Sequence, residues 1–318
     1  MIVHNCNINS NINIDNLILA IGNFDGVHLG HQKIINQCID LAKKHNFTPA
    51  ILTFEPHPSQ LTNTTAQKKK LIYNNAQKIA IIKDLNIAHL FIFEFNNQVM
   101  NMPHNKFVED ILIKMFKVKG IVTGYNFFFG KNRLGDTNFL ETISKQSRFT
   151  YDVVDKFDKD FIEVSSSKIR DLLSKGMVET ASKILGQNYF IAGNVIYGKK
   201  LARTLGFKTA NIKLDQDHIY PLNGVYLVNV IIEDNHHISY FGVANIGIKP
   251  TVSNDKTITL EVHIFEFDED IYEKNIKVEF ISFLRPERNL KDLERLKYQI
   301  KKDISDAKYI IEQNARAS

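Results

Sequence analysis

Between residues 17 and 123, short apolar runs alternate with amphipathic stretches, which restricts the first half of this chain to an α/β layer fold around a parallel sheet. Strand-like runs fall at 17–21, 50–54, 90–95 and 120–123, and helix-like stretches at 30–44, 76–85 and 106–116. Helices between strands are the crossovers that parallel pairing requires. The second half changes character. From Tyr189 onward, β-rich runs at 225–233, 238–243, 257–267 and 276–284 are divided by Pro221, Asn223-Gly224, Asp234-Asn235 and Ser253-Asn254. That spacing predicts a small antiparallel β-barrel. Two short helices at 167–175 and 178–185, separated by Gly176, lie between the halves and place the boundary at Gly186, giving domains 1–185 and 186–318. The last segment, 290–314, is charged on one face and apolar on the other through Leu293, Leu296, Ile300, Ile304 and Ala307. It is expected to be a helix packed against the barrel.

Bulk properties agree. A chain of 318 residues exceeds the usual size of one core. A hydrophobic share of 44% and a charged share of 24%, with no apolar run of bilayer length, exclude membrane insertion as an expectation. The N-terminal stretch through Asn5, Asn7, Asn9, Asn11 and Asn13 lacks the basic and apolar regions of a secretory signal, so the mature protein is expected to begin near Met1 and stay in the cytoplasm. Cys6 and Cys38 are too few for a disulfide scaffold or a thiolate metal cage. The net charge of +5 is spread along the chain. Such a balance suits anionic small molecules and calls for no nucleic-acid partner. Oligomeric state is not legible.

The densest signal is Gly22-Asn23-Phe24-Asp25-Gly26-Val27-His28-Leu29-Gly30-His31, which runs from a strand into a helix. Two imidazoles three residues apart at a helix N-terminus can face one polyphosphate, where free N–H groups and the helix dipole already favour negative charge. The glycines let the main chain approach a ligand. A hydroxyl-rich helix start at Ser165-Ser166-Ser167, followed by Arg170 one turn on, is a second phosphate receptor.

The pattern resembles the HxGH nucleotidyltransferases, and GNFDGVH narrows the resemblance to bacterial FAD synthetases. Thr53 to Pro58 is similar to that family's TFEPHP, Gly124 to Gly130 to its GxNFxFG loop, and Ser165 to Arg170 to its SSTxIR with Ser for Thr. The resemblance implies a Rossmann-like domain in which His28 and His31 are catalytic and bind ATP phosphates. It further implies that Gly22, Phe24, Gly30, Ser165, Ser166 and Arg170 hold the nucleotide, and that Asn126 lies near the flavin. Asp25 and His57 are weaker candidates; His57 has packing behind the strand end as its alternative.

In the second half, Gly193-Asn194-Val195-Ile196-Tyr197-Gly198 and Leu205-Gly206-Phe207-Lys208-Thr209-Ala210-Asn211 resemble the riboflavin kinase signature. The resemblance implies ATP binding by Gly193, Gly198 and Asn211, a metal site of Thr209 and Asn211 for Mg²⁺ or another divalent cation, Glu261 as the base for the riboflavin 5′-hydroxyl, and Arg285 near the flavin or in an ion pair. The whole chain is thus expected to convert riboflavin to FMN and FMN to FAD, with ATP as co-substrate. Ala202, Lys208, Lys249 and Glu266 depart from the usual glycine, proline, arginine and aspartate. Neither Lys208 nor Ala202 removes a reacting group, so a fragment from 186 to 318 is expected to keep kinase activity, and Lys208→Pro with Ala202→Gly to raise it modestly. The rival readings are an HxGH transferase for another phosphorylated substrate, and a chain whose kinase half only binds flavin.

Overall fold

A computed structural model of the protein describes residues 1–62, 69–197, 206–232, 238–250, 256–288 and 292–317. Met1–Ser166 and Ser167–Ser318 are two compact units. The compact units divide at 166/167, whereas the sequence places the boundary at 185/186; the two helices in between pack with the barrel.

The first unit holds a sheet of six parallel strands, β1 (Ile2–Cys6), β2 (Leu17–Ile21), β3 (Thr48–Glu55), β4 (His89–Glu94), β5 (Gly120–Gly124) and β6 (Thr150–Val154), in the order β1-β4-β3-β2-β5-β6. All five residues of β2 are buried, as a central strand covered on both faces requires. Burying each such Leu or Ile side chain stabilises the fold by roughly 1.5–3 kcal/mol. Helix α1 (Leu29–His45) turns Ile34, Ile35, Cys38, Leu41 and Ala42 inward at three- and four-residue spacing. It stops at Asn46, whose left-handed φ of 54° lets its N–H bond back to Ala42 and Lys43, and basic Lys43, Lys44 and His45 complement its C-terminal dipole. The short α2 (Pro58–Thr62) follows β3, and α3 (Asn75–Lys83) starts at a reciprocal Asn74–Gln77 capping box. The helix expected at 106–116 exists, but after the short turns α4 (Asn97–Met100) and α5 (His104–Lys106) it winds as a π-helix over Phe107–Met115, which nothing in its apolar pattern signals. Helix α6 (Thr137–Ser147) leads into β6, and a small pair, β7 (Asp158–Lys159) and β8 (Ile162–Glu163), precedes Val164.

The second unit is a closed barrel of β9 (Phe190–Ile196), β10 (Ala210–Lys213), β11 (Gly224–Ile232), β12 (Ser239–Pro250), β13 (Lys256–Ile264) and β14 (Asn275–Pro286), ordered β10-β13-β12-β11-β14-β9. Four of these strands match expected runs; β9 and β10 complete the closure. The turns expected at 234–235 and 253–254 lie outside the described residues. Helices α7 (Ser166–Ser174) and α8 (Val178–Leu185) join the barrel: the Leu222 N–H donates to the Leu173 carbonyl at 2.9 Å, and Glu179 accepts from Ser282 Oγ at 2.6 Å and from the Phe283 N–H at 3.3 Å. Helix α9 (Leu293–Ala317) closes the unit, with Ile304, Ala307, Ile310 and Ile311 packed on Val225, Leu227, Val243 and Phe265. Leu293, expected on this apolar face, is instead 50% exposed, because the helix reaches the barrel only beyond its first turns.

Candidate active sites

In the parallel sheet the chain leaves β2 toward β3 on one side and leaves β5 toward β6 on the other, so the carboxyl ends of β2 and β5 flank the topological switch point where open α/β sheets bind ligands. The turn after β2 carries Gly22 to His28, and the loop after β5 carries Tyr125 to Gly130. The two loops therefore leave neighbouring strand ends.

The turn is held tightly. Gly26 has φ +85°, and a Cβ there would stand 2.8 Å from Ile72 Cδ1. Phe24 and Val27 also take left-handed φ values of 50° and 42°, uncommon for such side chains and a mark of local strain. Asp25 is buried and accepts from the Ile72 N–H at 2.9 Å, so its carboxylate anchors the turn. Ser166 Oγ donates to the Asp25 carbonyl at 2.9 Å, which ties the serine segment to the same turn. Ser165 immediately precedes that helix, and Arg170 lies one turn along it.

His28 caps α1, its Nδ1 accepting from the His31 N–H at 3.3 Å. The two rings stack with centroids 3.6 Å apart and planes 16° from parallel. Gly30 makes this possible, since a Cβ there would sit 3.2 Å from the His28 ring. Phe24, expected among the nucleotide contacts, has a fully buried side chain that meets the His31 ring edge-on at 5.3 Å. It props the imidazole. Gly22 leaves room for that prop, its virtual Cβ 3.3 Å from the Phe24 ring. His31 Nδ1 is sealed from solvent without a hydrogen-bond partner among the described residues. Burial lowers the His31 pKa well below its ordinary value, and the nearby charges of His28 and Lys78 push the same way.

His57 accepts from the Ser59 N–H at 3.1 Å and shares a 2.8 Å bond with Ser59 Oγ, so it caps α2. Asn126 is exposed on the β5 loop beside Tyr125 and Phe128, which are 44% and 47% exposed, and the Arg133 guanidinium lies 4.9 Å from the Phe128 ring centroid. Those aromatics lie in the matched Gly124–Gly130 loop but were not assigned as site residues, and Lys78 lies in no matched segment.

In the barrel, register does the assembling. Asn211 of β10 lies opposite Glu261 of β13, Glu261 opposite Asn245 of β12, Asn245 opposite Val225 of β11, and Val225 opposite Arg285 of β14. Asn211 and Glu261 are half-buried between the buried pairs Ala210/Ile212 and Leu260/Val262, so both face away from the barrel interior. Thr209 and Asn211 line a pocket with Lys208, Val195 and the acidic loop Asp268 to Asp270. Lys208 Nζ bonds the Asp268 carboxylate and, at 3.3 Å, its carbonyl, while the Lys208 carbonyl pairs with His263 Nδ1 at 2.8 Å. Glu266 lies in the turn after β13 in a left-handed conformation, φ 54°. Gly193 has a packing reason of its own: a Cβ would stand 2.8 Å from Ile212 Cγ2. Gly198 and Ala202 lie outside the described residues. Arg285 donates from Nε and Nη2 to the two Asp303 oxygens, both at 2.7 Å, and from Nη1 to the Pro286 carbonyl at 3.0 Å. Of the flavin contact and the ion pair open from sequence, the ion pair is present, and it fills the guanidinium fork. Asn245 was missed as a site residue.

A glycine-rich HxGH turn at a parallel-sheet switch point, joined in one chain to a barrel that carries Thr209, Asn211 and Glu261, is the architecture of a two-domain ATP-using transferase. Comparison with known proteins is specific. The FAD synthetase family profile matches residues 11–168 and the riboflavin kinase profile residues 185–311. Proteins named bifunctional riboflavin kinase/FMN adenylyltransferase are 36% identical in Bacillus subtilis (91% of each chain), 37% in Buchnera aphidicola subsp. Schizaphis graminum (92% of this chain, 93% of the other) and 31% in Escherichia coli K12 (90% of each). A crystal structure described as a macrolide-efflux protein from Streptococcus pneumoniae superposes with a TM-score of 0.87 at 25% identity, covering 97% of this chain and 99% of that one. Among the described residues, no helix is long and apolar enough to cross a membrane. The chain belongs to the bifunctional riboflavin kinase/FMN adenylyltransferase family.

Proposed function

We infer that this chain makes FAD from riboflavin in two ATP-dependent steps, phosphorylating riboflavin to FMN in the barrel and adenylylating FMN in the parallel-sheet domain. What supports this reading is that each domain holds, on folded elements, the residues the family resemblance assigns to its reaction: the stacked His28–His31 pair at the switch point, and Thr209, Asn211 and Glu261 on adjoining parts of the barrel. That is also why the alternative, a barrel that merely binds flavin, is not favoured.

In adenylyl transfer an FMN phosphate oxygen attacks the ATP α-phosphorus and the bond to pyrophosphate breaks. No covalent enzyme intermediate is needed. The α1 N-terminus, the imidazoles of His28 and His31, and the Ser165–Ser166 segment are placed to align the polyphosphate and stabilise the charge leaving with pyrophosphate. Exposed Tyr125 and Phe128, beside Asn126, offer flat surface to the isoalloxazine.

In the kinase step the riboflavin 5′-hydroxyl attacks the γ-phosphorus, and Glu261 takes its proton. The Thr209 hydroxyl and Asn211 amide are hard oxygen donors that suit Mg²⁺, and no cluster of three or more His, Cys, Asp or Glu among the described residues offers a metal cage of its own. The cation would be held largely by nucleotide phosphates, and it supplies charge neutralisation on the transferring phosphoryl group. The buried free thiols Cys6 and Cys38, each pushed up to about 12 by burial, suit a reducing cytoplasm. Incubating the full chain with riboflavin, ATP and Mg²⁺ and resolving the flavins tests the reading. Sequential FMN and FAD are expected; FAD from supplied FMN but never from riboflavin would reduce the barrel to a binding module.

A further inference from the structure

Lys78 is one of the few charged side chains buried in the protein, 7% exposed, and neither sequence motif contains it. The Asn74–Gln77 capping box sets the start of α3 and delivers Lys78 into the space behind the Gly22–His28 turn. Its ammonium has one hydrogen bond among the described residues, to Thr53 Oγ1 at 3.4 Å. An ammonium carries three donors, so two are left without a protein acceptor there. Thr53 is fully buried and passes the interaction on, donating to the Asn23 carbonyl at 3.2 Å. The route therefore runs from α3 through β3 to the main chain of the nucleotide turn. Burial lowers the Lys78 pKa from the ordinary lysine value, the Glu55 and Asp25 carboxylates oppose that and favour the ammonium, and His31 feels its charge. His31 Nδ1, also buried, has no partner either among the described residues. Burying a cation this incompletely paired is costly unless something else uses its charge.

We propose that Lys78 is a positioning residue of the adenylyl-transfer site, holding the Gly22–Phe24 main chain through Thr53 and placing a fixed positive charge beside His31 for the ATP polyphosphate. This rests on the reading that the His28–His31 turn binds ATP. An ammonium at this depth acts in a low dielectric, where its field on a phosphate is stronger than at the surface. It also keeps His31 neutral: burial is the main reason for the lowered pKa of that imidazole, with the charges of His28 and Lys78 adding to it. A neutral ring can donate one hydrogen bond to a phosphate oxygen without a second buried cation.

The experiment compares wild type, Lys78→Met, Lys78→Arg and Thr53→Val in the full chain, with kinase turnover of the same molecules as the control for the other site and circular dichroism as the folding control. Lys78→Met is expected to lower kcat/KM for ATP in FMN adenylylation by about 10- to 100-fold, the cost of a misplaced reacting group, with riboflavin phosphorylation unchanged. Titration of the His31 ring by NMR separates a charge effect from a packing effect: Lys78→Met should raise the His31 pKa, and Lys78→Arg should leave it low. If Lys78→Met does not fold in its first half, Thr53→Val carries the test, since it cuts the link to Asn23 while keeping shape and ammonium, and should raise KM for ATP. Unchanged adenylylation in Lys78→Met, an unmoved His31 titration, or an unchanged KM in Thr53→Val overturns the proposal. His28→Ala/His31→Ala separates the two readings. If that variant adenylylates normally, the turn is not the ATP site; if it is inactive while Lys78→Met is normal, the role of Lys78 alone is wrong.

Discussion

Asn211 and Glu261 stand directly opposite each other on β10 and β13, facing the same side of the barrel although fifty residues of sequence separate them. The carboxylate proposed as the base for the hydroxyl proton is thereby set beside the amide proposed to serve the phosphate side. Glu261→Gln keeps the strand and its shape but removes the base, so FMN formation should fall by roughly 10²–10⁴ while adenylylation of supplied FMN is spared. A continuous assay of both products on one preparation checks this.

Gly26→Ala should act on the other reaction. The substitution places a methyl 2.8 Å from Ile72 Cδ1 and asks alanine to adopt φ +85°. The left-handed conformation alone costs about 1–2 kcal/mol. Borne by the transition state, that is on the order of a tenfold loss in FAD synthesis, with kinase turnover intact. Steady-state rates of the two steps provide the measurement.

The Arg285–Asp303 pair should be a stability determinant of the barrel unit. Asp303 is 4% exposed, accepts both guanidinium bonds, and also accepts from Gln299 Nε2 at 2.8 Å. Asp303→Ala strands a partly buried guanidinium, a loss below the roughly 3–5 kcal/mol of a fully buried pair, whereas an apolar replacement of both partners should recover most of it. Urea unfolding of the single and double variants would measure the difference.

Lys208→Pro, expected from sequence to help the kinase, should leave it nearly unchanged. Proline would stiffen the unfolded chain by about 0.4–1 kcal/mol. The Lys208–Asp268 pair that it removes joins side chains that are 51% and 90% exposed, and exposed pairs contribute about 0–1 kcal/mol. The two effects offset. Kinase rates of Lys208→Pro and Lys208→Met, compared with thermal unfolding, separate stiffening from removal of the pair.

The smallest competent kinase fragment should start near Ser167 and not at Gly186. Val178, Ala181, Ile184 and Leu185 are fully buried in α8, and cutting at 186 removes them together with the Glu179 bonds to β14. Burial of each large apolar side chain among them stabilises the unit by roughly 1.5–3 kcal/mol, so their removal is enough to unfold a small domain. Fragments 167–318 and 186–318 should therefore differ in folded fraction by circular dichroism before they differ in chemistry.

Local pattern was sufficient for β2, α1, the glycine-rich turn and the long barrel strands, because each depends on the burial period or turn chemistry of its own few residues. The edge strands β1 and β6 were illegible for the converse reason: Ile2 is 57% exposed and Val3 39%, so neither alternation nor a continuous apolar run marks them. By itself, the sequence determined two domains, an HxGH turn between a strand and a helix, and a barrel bearing Thr209, Asn211 and Glu261. Tertiary structure alone decided which distant side chains became neighbours. Strand register set Asn211, Glu261, Asn245 and Arg285 in one row, α9 brought Asp303 to Arg285, and α3 placed the Lys78 ammonium behind a turn fifty residues earlier. Those neighbours follow from hydrogen-bond register and close packing between elements, to which the residues nearest in sequence contribute nothing.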